Sequence, residues 1–358
     1  MNGQRAIRSC PQRPGILRHI EARAMIEDTS KRRPCVVVVG TGGTIASSAA
    51  VSTDFHNYDV SDSVEQILAA VPDAAKLADL RGIQAINVGS HKIDNSILLS
   101  LARCVSEVLV DPGTDAVVIT HGTDTLEESA YFLHLVLRTT KPVVVVGAMR
   151  PARSLSSDGP LNFFNAVVTA TTPSSRGMGV LVVANGHVYG ARDVMKRDTT
   201  SIDAIQGSKF GLLGEVSGNA ARFFHSPVQR HTASSEFDIN ALHELPQVDI
   251  LFDHQAAGTH LCRASVDAGS EAIVVAGTGN GSLSPGLREG AALARDAGVV
   301  FIRASRTGQG IVAPLNSDAE LGIITAGSLT PQKARILAML GIACGKDADQ
   351  LQQAFNSY

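Results

Sequence analysis

The sequence has little of what several classes of protein require. Its 358 residues include no tryptophan and only four tyrosines, and its five cysteines are scattered without a Cys-x-x-Cys pair. An odd number of isolated cysteines argues against a disulfide framework and against a cysteine-based zinc site. We therefore expect a protein of a reducing compartment.

Long apolar runs and an excess of one charge are also missing. The longest apolar runs, at residues 35–39 and 142–146, are as long as one strand, whereas a membrane-spanning helix needs about 20 residues. Lys and Arg total 31 and Asp and Glu total 34, which gives a net charge of -3. This balance does not favour nucleic acid as a partner. We expect no membrane and no nucleic-acid partner, so a small molecule is the favoured ligand.

The first 33 residues differ in charge from the rest of the chain. Eight of them are Lys or Arg and three are acidic, whereas residues 34–358 carry more acidic than basic groups. This segment has no apolar run of the length that a secretory signal needs. We interpret residues 1–33 as a basic extension, either disordered or the product of a start site placed upstream of Met25. A transit peptide is the alternative, because the segment is rich in Arg and poor in acids.

From residue 34 onward, short β-branched runs alternate with stretches of helical periodicity. This alternation predicts an α/β protein with two domains and mainly parallel sheets. The first predicted set has strands at 35–39, 85–88, 116–120, 143–146 and 180–183, with helices at 96–110, 126–138 and 161–170. The second has strands at 248–252, 272–275, 299–302 and 322–325, with helices at 287–296, 331–340 and 347–356.

Residues 207–244 have weak periodicity and many Gly, Ser and His residues, which is typical of a linker region. We expect an amino-terminal catalytic α/β domain at residues 34–225 and a smaller carboxy-terminal α/β domain at 246–358. The linker proper is placed at 226–245. With 44% hydrophobic residues, the chain can fill a large core.

Two loops rich in glycine and threonine follow predicted strands, at residues 40–46 and 121–125. Ligands of open parallel sheets bind outside the carboxyl ends of the strands. The first loop is not a dinucleotide-binding fingerprint, because Ile45 stands where the third glycine belongs. The second loop has two interpretations: Asp124 or Thr125 caps the next helix, or its threonine is a reactive hydroxyl.

A reactive hydroxyl needs a base, because its own pKa is far above neutrality. The sequence has neither a Gly-x-Ser-x-Gly motif nor a His-Glu-x-x-His motif. Lys196 and Tyr58 remain as candidates, since a desolvated lysine can act as a base. The alternatives are a solvated surface lysine and a tyrosine that packs on the domain.

These residues resemble the bacterial L-asparaginase family, which includes glutaminase-asparaginases. Residues 41–46, within the first loop, look like the first signature of that family, and residues 121–128, which include the second loop, look like its second signature. The resemblance covers residues 35–358 and continues through residues 57–58, 87–90, 146–151, 157–160, 190–196, 279–281 and 331–335.

The resemblance implies a role for each matching residue. Thr44 matches the nucleophile, and Tyr58 matches the tyrosine that assists it and closes over the substrate. Thr123, Asp124 and Lys196 match a second triad in which the lysine is the base. The division of labour between the two threonines stays open.

The resemblance also implies how the substrate is held. Ser90 matches a ligand of the α-carboxylate, and Asp124 also matches a ligand of the α-ammonium. Asn280 and Ser282 match substrate-binding positions, of which the second is contributed by a neighbouring subunit. Ser at this position implies some activity on L-glutamine.

Two positions depart from the family pattern. His91 stands where the family usually carries Gln or Glu, and once protonated it would repel the substrate ammonium. The acid that the family supplies from a neighbouring subunit is replaced by Leu315 in an ungapped count, with Asp318 or Glu320 as alternatives.

The resemblance therefore implies a cytoplasmic homotetramer that hydrolyses L-asparagine to L-aspartate and ammonia without metal or organic cofactor. A broad glutaminase-asparaginase is the first alternative. A catalytically silent protein that binds the amino acid as a sensor is the second, and a nucleotide-binding protein that uses the first loop is the third.

Overall fold

A computed structural model describes residues 32–49 and 51–358. The basic extension predicted for residues 1–33 therefore lies outside the described residues, except for its last two positions. None of the helices in the described part combines the length and the hydropathy that a bilayer crossing needs.

The strands of the described residues, in chain order, are β1 (Cys35–Gly42), β2 (Ser47–Ala49), β3 (Tyr58–Val60), β4 (Asp79–Val88), β5 (Ala116–Thr120), β6 (Val143–Val146), β7 (Val180–Ala184), β8 (His187–Gly190), β9 (Val194–Lys196), β10 (Ile205–Gly207), β11 (Leu212–Ser217), β12 (Ala220–Phe223), β13 (Val248–Phe252), β14 (Ala272–Gly277), β15 (Val300–Ser305) and β16 (Ile323–Thr325). The α-helices are α1 (Val64–Ala70), α2 (Asn95–Val110), α3 (Leu126–Val136), α4 (Gly159–Thr171), α5 (His260–Asp267), α6 (Pro285–Asp296), α7 (Asn316–Leu321), α8 (Pro331–Ala343) and α9 (Ala348–Ser357).

Eight strands form the larger sheet, in the order β12-β11-β8-β7-β6-β5-β1-β4. The run from β7 to β4 is parallel, and β8, β11 and β12 continue it in antiparallel pairs. Every residue of β1, β5, β6 and β7 is buried. Continuous valine-rich runs suit these strands, because helices cover both faces of a parallel sheet.

The smaller sheet has four parallel strands in the order β13-β14-β15-β16. One apolar core joins α2, α3 and α8 to one face of each sheet. The outer face of the larger sheet packs on α1 and α4, and the outer face of the smaller sheet packs on α5 and α6. The α/β class with mainly parallel sheets, predicted from the alternating pattern, is confirmed.

The prediction of a linker over residues 207–244 is wrong for residues 212–217 and 220–223. Leu212–Ser217 and Ala220–Phe223 are β11 and β12, which extend the larger sheet by an antiparallel pair. Their sequences, LLGEVS and AARF, mix glycine and charged residues with apolar ones, so the apolar run typical of a buried strand is missing. The helix predicted at 126–138 ends at Val136, where the chain turns extended at Leu137.

Candidate active site

The first threonine loop begins in the last residues of β1, which is the second strand from the β4 end of the larger sheet. Its glycines Gly42 and Gly43 have φ angles of 96° and 78°, a conformation that other residues rarely adopt. The Thr41 hydroxyl donates to the carbonyl of Thr120 over 2.8 Å, which ties the loop to the end of β5. Thr44 follows as a buried residue at the start of a single 3-10 turn.

The two threonine loops touch backbone to backbone. A Cβ atom built on Gly43 would lie 2.2 Å from the Cα atom of Gly122, and one on Gly122 would lie 2.8 Å from Oγ of Ser90. Real Cβ atoms do not approach backbone atoms this closely, so Gly43 has to be glycine, and a side chain at Gly122 would displace the Ser90 side chain. The contact brings Thr44 and Thr123 to the same edge of the sheet.

Tyr58 reaches Thr44 through a short hairpin. Strand β3 pairs with β2 in antiparallel register over three residue pairs, from Ser47↔Val60 to Ala49↔Tyr58. This pairing places the Tyr58 hydroxyl oxygen 2.8 Å from Oγ1 of Thr44. Tyr58 is therefore a hydrogen-bond partner of the threonine that the resemblance implies as nucleophile.

Lys196 lies at the end of β9 and faces the second loop. Its Nζ atom donates to Oγ1 of Thr123 over 2.9 Å and to Oδ1 of Asp124 over 2.8 Å. The side chain is only 19% exposed, whereas that of Asp124 is 55% exposed. The alternative of a solvated surface lysine is therefore wrong, and the three side chains form one hydrogen-bonded group.

The helix-cap interpretation of the second loop is also wrong. The Thr125 hydroxyl donates to the carbonyl of Ser90 over 2.8 Å, and the Thr125 amide donates to Oγ of Ser90 over 3.3 Å. Asp124 accepts from Lys196. Thr125 therefore fixes the turn of Ser90 and His91, and Nδ1 of His91 lies 3.9 Å from Oδ2 of Asp124.

A cavity of about 410 Å³ opens between these elements. Its lining includes six of the residues that the resemblance implies: Thr44, Tyr58, Ser90, His91, Thr123 and Asp124. It also includes polar residues to which the sequence analysis gave no role: His56, Asp59, Asn87 and Lys92. An adjoining cavity of about 400 Å³ is lined by Lys196, Asp124 and Glu127, among others.

Asn280 and Ser282 are placed elsewhere within the described chain. The side chain of Asn280 donates to the carbonyl of Ala313 and accepts from its amide, over 3.3 and 2.8 Å. Ser282 exchanges two main-chain hydrogen bonds with Thr278. The structure therefore does not bring these two residues together with Thr44 in one chain.

The alternative acids have other surroundings. Asp318 is buried and accepts from Arg303 Nε over 3.1 Å and from Nη2 over 2.6 Å. Glu320 is exposed, and its carbonyl accepts from Arg295. Asp318 is therefore the partner of a buried guanidinium rather than a free acid.

Burial shifts two ionisable groups next to the second loop. It lowers the pKa of His121 to about 4, although the ring contacts the Gly122 carbonyl over 2.7 Å. It also raises the pKa of Glu127, against the attraction of Lys333 and the hydrogen bond from the Lys196 amide. His121 is thus neutral at neutral pH and carries no charge into the site.

The arrangement supplies hydroxyl chemistry. Two threonines line one cavity, one bonded to a phenol and the other to an amine that also contacts a carboxylate. A hydroxyl nucleophile needs such proton acceptors at hydrogen-bond distance. Within residues 32–49 and 51–358, no group of three or more His, Cys, Asp or Glu side chains is arranged to hold a metal ion.

Comparisons with known proteins give two family matches. Residues 35–229 match the model described as Asparaginase, N-terminal, and residues 247–355 match the Glutaminase/Asparaginase C-terminal domain. The chain is 42% identical over 330 residues to L-asparaginase 2 of Bacillus subtilis, covering 92% of this chain and 88% of the relative. It is 40% identical to a glutaminase-asparaginase of Pseudomonas fluorescens, covering 96% of each chain.

A solved structure agrees with these matches. The crystal structure of a probable cytoplasmic L-asparaginase from Campylobacter jejuni is similar with a TM-score of 0.88 and 36% identity. The similarity covers 91% of this chain and 100% of that one.

Proposed function

The chain belongs to the asparaginase family, and on this premise we propose that it is an L-asparaginase with some activity on L-glutamine. It hydrolyses the side-chain amide of L-asparagine to L-aspartate and ammonia. The proposal rests on two threonines at one cavity, each with a hydrogen bond to another side chain. Thr44 bonds to Tyr58, and Thr123 bonds to Lys196.

The first half of the reaction is acylation of Thr44. Its Oγ1 attacks the amide carbon, its proton leaves through Tyr58 or the second triad, and the amide nitrogen departs with that proton as ammonia. The attack places negative charge on the oxygen of the amide. Peptide N–H groups of the glycine loops are natural hydrogen-bond donors to this oxyanion. Water then attacks the ester and releases aspartate, with Lys196 as the base that acts through Thr123.

Substrate selection requires one acceptor-rich and one donor-rich corner, because L-asparagine is a zwitterion that an apolar pocket could not hold. We assign the α-ammonium to the carboxylate of Asp124 and the α-carboxylate to the turn at Ser90. The Thr125 bonds that fix this turn support the assignment. His91, beside Asp124, then borders the ammonium position.

We further propose a homotetramer in which Asn280 and Ser282 complete a site of a neighbouring subunit. The position of both residues outside the cavity of their own chain supports this. Sedimentation velocity would give four copies per particle. Mixing Thr44→Ala subunits with Ser282→Ala subunits would restore some activity only if sites are shared between chains.

The division into domains at 34–225 and 246–358 is likewise a proposal, supported by the extents of the two sheets at Cys35–Phe223 and Val248–Thr325. We also propose a cytoplasmic location. The Campylobacter jejuni relative with the similar structure is named a cytoplasmic enzyme. Fractionation of cells that express the chain would test the location.

Ammonia release from L-asparagine, L-glutamine and D-asparagine tests the activity. Thr44→Ala is expected to lose at least about a hundredfold in kcat/KM, while Thr171→Ala serves as the control. The Thr171 hydroxyl donates to the Val167 carbonyl within α4, away from the cavity.

The ratio of kcat/KM for L-asparagine to kcat/KM for L-glutamine distinguishes an L-asparaginase from the first alternative, a broad glutaminase-asparaginase. One methylene is worth only about 1 to 3 kcal/mol unless a polar contact is also lost, so a ratio near one would identify a broad glutaminase-asparaginase. Binding of L-asparagine without ammonia release would instead favour the sensor, and micromolar binding of NAD or ATP would favour the nucleotide-binding alternative.

A further inference from the structure

Lys196 is carried by a strand that has little support of its own. Strand β9 is three residues long and, among the strands that the structure describes, pairs only with β10, in a two-stranded sheet separate from the larger one. Yet the lysine Nζ has to meet two acceptors at once, Oγ1 of Thr123 and Oδ1 of Asp124. Something outside the strand has to fix its position.

Two buried ionisable side chains hold this strand by its main chain. The Glu127 carboxylate, in the first turn of α3, accepts the Lys196 amide over 2.8 Å. From α8, the Lys333 ammonium donates to the Arg192 carbonyl over 2.8 Å and to the Val194 carbonyl. These hydrogen bonds hold the first and the last residue of β9 from two different helices.

Burial of these two groups is costly. Lys333 is only 1% exposed, and burial lowers its pKa to about 8 against the attraction of Glu127 and Asp193. Burial raises the pKa of Glu127 against the attraction of Lys333. Neither side chain lines the cavity that holds Thr44, so the proposed reaction leaves both groups without a task.

We propose that Lys333 and Glu127 are positioning residues that fix the base Lys196 against Thr123. The inference rests on the proposed function, because it assigns a purpose to the placement of Lys196. Displacement of a reacting group by about 1 Å can cost about a hundredfold in rate. Helix α8, which lies between the two sheets, thereby helps to determine the geometry of a site built at the larger one.

The first test replaces Lys333 by Met, a neutral side chain of similar length. We expect kcat for L-asparagine to fall about 10- to 100-fold while KM stays within about threefold, since the substrate contacts are untouched. Lys141→Met is the matched control. The Lys141 ammonium also donates to two carbonyls, those of Leu109 and Asp111, over 2.7 and 2.8 Å, away from the cavity.

The second test distinguishes hydrogen bonding from bulk at Glu127. Glu127→Gln keeps an acceptor for the Lys196 amide and should retain most of kcat, whereas Glu127→Ala should lose about tenfold or more. Glu128→Ala is the control, because the neighbouring carboxylate is partly buried and is attracted by Arg335 instead. The combined Lys333→Met and Glu127→Ala losses should fall short of the product of the single losses, since both act through one strand.

The outcomes separate the two proposals. Equal kcat losses in Lys333→Met and Lys141→Met, or an unchanged kcat in Glu127→Ala, would overturn the positioning role. A wild-type protein that releases no ammonia, or an active Lys196→Met variant, would instead overturn the proposed function. Folding of each variant is checked by its melting temperature, and if Lys333→Met does not fold, the Glu127 series decides alone.

Discussion

Loops of Gly, Thr and Ser follow parallel strands of both sheets, but their hydroxyls have different partners. After β1 and β5, Thr44 and Thr123 bond to the side chains of Tyr58 and Lys196. After β14, the Thr278 hydroxyl donates to the Ser282 carbonyl within its own loop. A threonine in a glycine-rich loop is thus not a reactive group by itself, because reactivity requires a second side chain brought in from another element.

The cations beside the two sets of loops differ in the same way. Lys196 bonds to one hydroxyl and one carboxylate at the edge of a cavity. Arg303 is 1% exposed and bonds to Asp318 and to the carbonyls of Asn280 and Ala313. A lysine can exchange a proton in such a place, whereas a guanidinium stays charged and fixes its partners. The loops of the larger sheet thus contact a lysine suited to proton transfer, whereas the smaller sheet carries a structural ion pair.

The largest expected effect breaks the comparison on the side of the larger sheet. Lys196→Met should lower kcat/KM for L-asparagine about 10²- to 10⁴-fold, the usual contribution of a general base. Its ion pair with a half-exposed Asp124 contributes little to stability, so the melting temperature should move little. Ammonia release and thermal unfolding, measured on the same sample, check the expected rate and the expected melting temperature. A loss of stability that accounts for the loss of rate would contradict the difference between the two sheets.

On the side of the smaller sheet the effect should fall on stability. Arg303→Met leaves the Asp318 carboxylate buried without its partner, which costs about 3 to 5 kcal/mol in the free energy of unfolding. Denaturant unfolding measures the change. The double variant Arg303→Met with Asp318→Leu should recover part of it, because no charge then stays buried. A cost below about 1 kcal/mol for the single variant would refute the structural role.

Acid pH should act on the region around the larger sheet through its buried histidines. The Val180 amide donates to Nδ1 of His134, and burial holds the pKa of that imidazole well below its usual value. The unfolded chain takes up a proton below about pH 6.5, whereas the folded chain does not. The free energy of unfolding therefore decreases as the pH is lowered below about 6.5. The slope reaches about 1.4 kcal/mol per pH unit for each such histidine.

His134→Gln should therefore flatten the dependence of the unfolding free energy on pH between 6.5 and 5, with no change in slope above that range. Denaturant titrations at several pH values measure the slope. If it stays equal to that of the wild type, the histidine is protonated in the folded state and the assignment fails.

The smallest expected effect concerns the rim of the site. Nδ1 of His91 lies 3.9 Å from Oδ2 of Asp124, and a positive charge on the imidazole would pair with this carboxylate and compete with the substrate ammonium. KM for L-asparagine should rise within about tenfold as pH falls, and His91→Gln should remove this rise. An unchanged pH dependence of KM in His91→Gln would contradict the role.

The parts of the site that follow parallel strands could be predicted from sequence. The apolar runs of β1 and β5 indicate where each strand ends, and the glycines and threonines follow directly. Tyr58 and Lys196 could be placed only through the family resemblance. They lie on β3 and β9, each three residues long, and such segments have no periodicity that a pattern could reveal.

The support behind the site could not be predicted in the same way. Glu127 lies in the second signature of the resemblance but has no role there, and its contact with the Lys196 amide joins residues 69 positions apart. Lys333 sits in the first turn of an apolar helix and contacts a carbonyl 139 residues away. The antiparallel strands β11 and β12 were missed because sheet pairing, rather than local propensity, stabilises them.

Gly43 and Gly122 also limit how the substrate range of this protein can be engineered. Because the two loops meet without room for a Cβ atom at Gly43, any other residue there would push the Gly122 backbone away and disturb the placement of Thr44 and Thr123. We therefore expect a mutant library randomised at Gly43 to consist mostly of inactive variants. Diversity is better placed at the rim, where His56 and His91 line the cavity from exposed positions and can be exchanged without disturbing the threonines.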